Sequence, residues 1–103
     1  MKGTEKQIKW AEDIKAQAIS HCRACIAANT EAGLFAAETE LYEIMAEGIE
    51  ACFARVDDAA IIIDKRDRFA PSSIDAYIRQ AKTLIRQGRL TVEQFAAKNG
   101  VKR

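Results

Sequence analysis

A chain of 103 residues, 49% hydrophobic and 30% charged with a single proline, is long enough for one domain with its own core and too apolar for a disordered one. Its formal net charge is +1, and its longest apolar runs, such as Ala59 to Ile63, fall far short of the roughly 20 residues of a membrane helix. With no hydrophobic leader in "MKGTEKQIKW" and an odd number of cysteines, a cytoplasmic protein with free thiols, no membrane partner and no disulfide framework is expected.

Thr4 and Gln7 make a capping-box pair, which predicts a helix from Glu5. At about 100° per residue, Ala11, Ala18, Cys22 and Cys25 fall on one line flanked by Ile8, Ile14 and Ile26, and the apolar face runs to about residue 27. "ANTEAG" then supplies the turn and cap residues Asn29, Thr30 and Gly33. A second helix is expected over residues 34–55, with Leu34, Leu41, Met45, Ile49, Cys52 and Val56 inward and Glu40, Glu43, Glu47 and Glu50 outward. Glu38 falls on the apolar side without an evident reason.

Asp57 or Asp58 can cap a short third helix over 58–66. Ile61 to Ile63 would also suit a buried strand, but a lone strand would have no partner, and that favours helix. In "FAPSSIDAYIRQAKTLIRQG", Ser72 with Asp75 reads as the cap of a helix over 73–87; Ile74, Tyr77, Ile78, Ala81, Leu84 and Ile85 form its buried stripe, and Gly88 ends it. Thr91 with Gln94 predicts a last helix over 92–98, closed by Asn99 and Gly100. The sum is an all-α fold, a compact bundle of about five helices forming a single domain over 1–103.

Charge is unevenly placed. Ala24 to Ala54 holds six acidic residues and no basic one, whereas Lys65 to Arg103 holds ten basic and three acidic residues. Such a separation can steer partners or hold the two halves of the molecule together.

Two stretches carry resemblances. "TEKQIKWAEDI", Thr4 to Ile14, resembles the T-x-K-Q-x-x-W-A-x-x-I opening of a group of small uncharacterised bacterial and phage proteins, as does "IDKR" at Ile63 to Arg66. The resemblance implies a bacterial, prophage or mobile-element origin and brings no catalytic residues with it. "LTVEQFAAKNGVKR", Leu90 to Arg103, is similar to the first helix and glycine turn of a helix-turn-helix. A second helix would read the major groove in that motif; without one, the segment is expected to serve as a capping helix.

"HCRAC", residues 21–25, offers His21, Cys22 and Cys25 as candidate metal ligands, with Cys52 as a fourth. Zinc-binding C-x-x-C pairs commonly sit on turns and are followed by a second pair, whereas both of these cysteines are placed mid-helix on the apolar line and Cys52 stands alone. Cysteine behaves as a small hydrophobe in such positions. The expectation is a core seam without metal or cofactor, in which all three thiols resist reagents. His21 lies at the seam's edge near Trp10 and Ile14. A cysteine nucleophile needs an imidazole beside the thiol and a group to orient it; none is indicated, so no catalytic residue and no small-molecule substrate is expected.

Arg79, Lys82, Arg86 and Arg89 recur along one flank of the fourth helix, and Lys98 extends the row. Such a row could contact nucleic-acid phosphates or an acidic protein, although Tyr77 falls on the buried side and offers no stacking platform. Trp10 reads first as a partly buried anchor and second as an exposed interface aromatic, and Glu40, Glu43, Glu47 and Glu50 offer an acidic docking face. The leading reading is a small non-enzymatic interaction protein that binds a protein partner or forms a homodimer. The alternative is a nucleic-acid-associated accessory protein using the basic C-terminal half.

Overall fold

The Thr4 box forms as expected: Gln7 N–H donates to Thr4 Oγ1 at 3.1 Å and Thr4 N–H donates to Gln7 Oε1 at 3.0 Å. In this computed structural model, which describes residues 1–33 and 36–103, helix α1 runs from there as Glu5–Ala32. It outlasts the expected end near residue 27 because Asn29 and Thr30, read as turn residues, stay helical. Gly33 is the first residue able to reverse the chain cheaply. It adopts a left-handed φ of 68° and its N–H caps the carbonyls of Asn29 and Thr30.

Helix α2, Ala36–Arg55, returns antiparallel to α1. Lys15 meets Glu50, and His21 meets Tyr42 further along. The expected start of this helix at Leu34 lies outside the described residues. A short α3, Ala59–Asp64, follows, with Asp58 accepting from Ala60 N–H at 3.0 Å. The isoleucine run is therefore helical, and it ends before the expected residue 66; a 3₁₀ turn, Arg66–Phe69, takes over. Lys2 bonds on both sides of Asp58, as donor to Asp57 O and as acceptor from Ala59 N–H, each at 2.8 Å. The chain's start is thereby laid against α3. No β-strand occurs among the described residues beyond this isolated bridge.

Helix α4, Pro71–Arg86, starts earlier than expected and by another device. Pro71 occupies its first turn, where a missing N–H costs nothing, and no side chain caps it. Ser72 and Asp75 therefore do not form the expected cap. Helix α5, Val92–Lys98, has the full capping box of Thr91 and Gln94. The architecture is the all-α bundle of about five helices anticipated from periodicity, with α1 setting its length: 28 residues at ~1.5 Å each nearly span the 44 Å long axis.

Among the described residues the core is one cluster fed by every α-helix: Ala11, Ala18 and Cys22 from α1, Leu41, Ile44 and Ile49 from α2, Ile62 from α3, Ile74 and Ile78 from α4, and Phe95 from α5. These three α1 residues are small, and α1 packs most extensively against α2. Phe69 from the 3₁₀ turn meets Phe53 edge-on at 5.3 Å. Among the described residues, no helix is long and apolar enough to cross a membrane. Trp10, read first as a partly buried anchor, is instead 48% exposed, with the Arg66 guanidinium 5.4 Å from its ring.

Candidate functional site

Helices α2 and α4 build two different surfaces, one toward α1 and one toward α5. The first is a polar cluster. His21 and Cys25 are one helical turn apart on α1, which stacks their side chains on one face. Cys25 Sγ lies 3.7 Å from His21 Nε2, and the same nitrogen lies 2.7 Å from Asp75 Oδ1 on α4. Tyr42 on α2 donates its hydroxyl to that carboxylate oxygen at 2.5 Å. His21 and Tyr42 also pack edge-on, ring centroids 6.3 Å apart.

The electrostatics follow from burial and these bonds. Desolvation would push the Asp75 carboxyl up, but hydrogen bonds from Tyr42 and His21, with the nearby charges of His21 and Arg79, outweigh it and hold Asp75 below the usual carboxylate range. Burial, and the cost of ionising while bonded to Asp75, push the Tyr42 phenol well up, so it remains a donor. Cys25 is raised, chiefly by burial, with its hydrogen bond to Tyr42 opposing and the charges of Asp75 and Glu38 adding. Cys22 is raised to about 11 by burial first and by its neighbours Cys25 and Asp75.

These facts constrain the chemistry. In a relay of thiol, imidazole and carboxylate, the two ring nitrogens serve different partners. Here one nitrogen, Nε2, serves both, and the thiol is held in its neutral form. The arrangement gathers three ligand-type atoms, His21 Nε2, Cys25 Sγ and an Asp75 carboxylate oxygen, within 4.8 Å of one another.

The second surface is an open groove of about 670 Å³ on the opposite side of α2 and α4, closed at its ends by the 3₁₀ turn and α5. Its floor is apolar, formed by Met45, Ile49, Cys52, Phe69, Ile74 and Tyr77, and Arg55, Arg68 and Lys98 stand around it with Asp67. Gly48 makes the α5 wall: a β-carbon there would come within 3.0 Å of the Asn99 β-carbon and carbonyl oxygen. Asn99 in turn donates to Tyr77 Oη at 3.2 Å and to Phe95 O at 2.8 Å, and Tyr77 stacks at a tilt on Phe95 with centroids 5.4 Å apart.

Of the four candidate metal ligands, the structure unites only His21 and Cys25. Cys22 points into the core at 0% exposure, and Cys52 lines the groove. Cys25 and Cys52 are only partly buried, which corrects the expectation of three sealed thiols. The third polar partner, Asp75, has no sign in the local sequence pattern, because beside Ser72 it reads as half of a helix cap. The signal was Pro71: a proline at the first helical position leaves Ser72 inside the helix and frees Asp75. Glu38 was a second signal. It marks the line Glu38, Tyr42, Met45, Ile49 along α2 and reaches the half-buried Lys82 of α4 at 3.8 Å.

That pairing turns Lys82 out of the expected basic row, in which Arg79, Arg86 and Arg89 remain exposed; Lys98 belongs instead to the groove. Within the acidic row of α2, Glu47 pairs with Arg103 at 2.8 Å and Glu50 with Lys15 at 3.0 Å, while Glu40 and Glu43 are exposed. Part of the charge separation is thus spent inside the molecule. Comparison of the chain with protein-family models, with curated proteins and with solved structures found no match.

Proposed function

We propose that the protein is a non-enzymatic interaction module whose groove receives a short segment of a partner protein, apolar along one side and acidic at its flanks. The groove carries this reading. Six apolar side chains form a floor of the kind that takes peptide anchors, and Arg55, Arg68 and Lys98 outnumber Asp67 at the rim. Charge complementarity of this kind selects partners and speeds encounter more than it adds affinity. The shared His21 nitrogen and the neutral thiol beside it support the non-enzymatic part of the reading.

The test uses fluorescent peptides with a Leu/Phe-rich centre flanked either by glutamates or by lysines, measured by anisotropy. Glutamate-flanked peptides are expected to bind, lysine-flanked ones not, and an Arg68→Glu, Lys98→Glu double variant is expected to reverse the preference. Bound peptide should also shield Cys52 from a thiol reagent. Equal binding of the two peptide sets would overturn the proposal. So would a dimer in light scattering that Arg68→Glu dissociates, which would make a second copy the occupant. Binding to single-stranded DNA or RNA that depends on Arg79 and Arg86, with no peptide bound, would overturn it in favour of nucleic acid.

A further inference from the structure

The polar cluster of His21, Cys25, Tyr42 and Asp75 does not take part in the groove. We propose that His21, Cys25 and Asp75 form a binding site for a transition-metal cation of the zinc class. The residues come from two helices, with the i, i+4 pair on α1 supplying nitrogen and sulfur and α4 supplying oxygen. This departs from the expectation, drawn from the C-x-x-C spacing, that Cys22 would be a ligand if any metal bound. On a helix, residues three and four apart share a face, but the two cysteines diverge here: Cys22 enters the core and Cys25 turns to His21.

Geometry favours the cation. Around a tetrahedral zinc ion, with bonds of ~2.3 Å to sulfur and ~2.0–2.2 Å to nitrogen and oxygen, neighbouring ligand atoms stand about 3.4–3.6 Å apart. Cys25 Sγ and His21 Nε2, 3.7 Å apart, already hold that spacing. His21 Nε2 and Asp75 Oδ1 are closer, at 2.7 Å, because a proton occupies the space between them. All three atoms lie within 4.8 Å of one another, close enough to share one cation, and a single nitrogen in contact with both other atoms is a poor arrangement for a hydrogen-bonded chain. Metal entry displaces the thiol proton to solvent and takes the lone pair of Nε2, so that the neutral imidazole carries its one proton on Nδ1 instead. Three protein ligands leave a fourth position to water.

The donor set selects the ion. A thiolate with an imidazole and one carboxylate suits borderline-soft cations such as zinc or cobalt, whereas magnesium and calcium require oxygen ligands. Tyr42 completes the site without touching the ion. Its hydroxyl fixes the carboxylate oxygen, a positioning role whose loss typically weakens metal binding about tenfold or more.

The experiment titrates untagged protein, stripped with chelator, with zinc by calorimetry and with cobalt by absorption spectroscopy. One equivalent of either ion should bind, cobalt should give a thiolate charge-transfer band, and excess magnesium should not compete. Cys25→Ser should abolish the band, His21→Gln and Asp75→Asn should weaken binding more than Tyr42→Phe does, and Tyr42→Phe should weaken it about tenfold. Cys52→Ser should bind as the native protein does. Absence of stoichiometric binding would overturn the proposal, as would binding that survives Cys25→Ser. Should Cys25→Ser fail to fold, the native protein still decides: His21 is the only histidine, and its imidazole NMR signals must move and saturate at one equivalent of zinc. Unmoved signals would sink the site.

Discussion

The cluster and the groove are made by the same two helices, yet they satisfy their polar groups in opposite ways. Toward α1, Tyr42 and Asp75 spend their hydrogen-bonding capacity on each other and on His21. Toward α5, the floor between α2 and α4 is apolar and the charges stand at the rim, where water serves them. A surface that closes on itself specifies how helices pack, whereas one that leaves apolar area open is available to something else. Different positions on α4 decide which: Asp75 serves the first surface, and Ser73, Ile74 and Tyr77 serve the second.

The largest expected effect tests the groove's wall. Phe95 is a fully buried ring that holds α5 against α4. Phe95→Ala should cost about 3–5 kcal/mol, a large part of the ~5–15 kcal/mol typical of a domain, read as a lower urea midpoint. An unchanged midpoint would mean that α5 is not part of the cooperative unit.

The cluster should show an asymmetry between its partners. The Tyr42 side belongs to a residue only 4% exposed, while the Asp75 side chain is 38% exposed. Asp75→Ala leaves a buried hydroxyl without its acceptor and should cost about 1–3 kcal/mol, whereas Tyr42→Phe leaves a carboxylate that water can reach and should cost about 1 kcal/mol. Equal losses in denaturant titrations would show that the cluster is wetter than its geometry implies.

A smaller and sharper comparison comes from thiol kinetics. Cys22, sealed and raised to about 11, should react slowest with a maleimide or disulfide reagent, and the partly exposed Cys25 and Cys52 faster, because access to the sulfur limits the rate. Mass mapping of the labelled sites checks the order; Cys22 reacting first would contradict the packing of α1. Gly48→Ala should have the least effect. A helix-interior glycine replaced by alanine ordinarily gains ~1 kcal/mol, but the new β-carbon meets Asn99, whose side chain is engaged with Tyr77 and Phe95. The expected result is no gain in thermal midpoint, and a full gain would show the α5 contact to be loose.

Much of the fold was legible because its signals are local. The Thr4 and Thr91 boxes need only four consecutive residues each, and Leu41, Ile49, Ile74 and Ile78 lie inward as periodicity requires. The ends were less legible where one rule displaced another. Turn-forming Asn29 and Thr30 yielded to helix propagation up to Gly33, and Pro71 took the start that Ser72 was given. The cluster was half visible: His21 and Cys25 are four apart, but Asp75 is 54 positions from His21, and no local pattern links them. Trp10 shows the converse, since its place at the stripe's edge suggested burial, while the side chain lies over Arg66 in solvent.

Asp75 and Tyr77 sit two positions apart on α4, which directs them about 200° around the helix axis. Turning α4 about its axis therefore moves a ligand of one site and part of the other site's floor together, like the two pans of a balance. Thermodynamic reciprocity then requires that whatever zinc does to peptide affinity, the peptide does by the same factor to zinc affinity. Measuring each affinity with and without the other ligand gives that factor twice, and a value of one would describe α4 as a rigid partition.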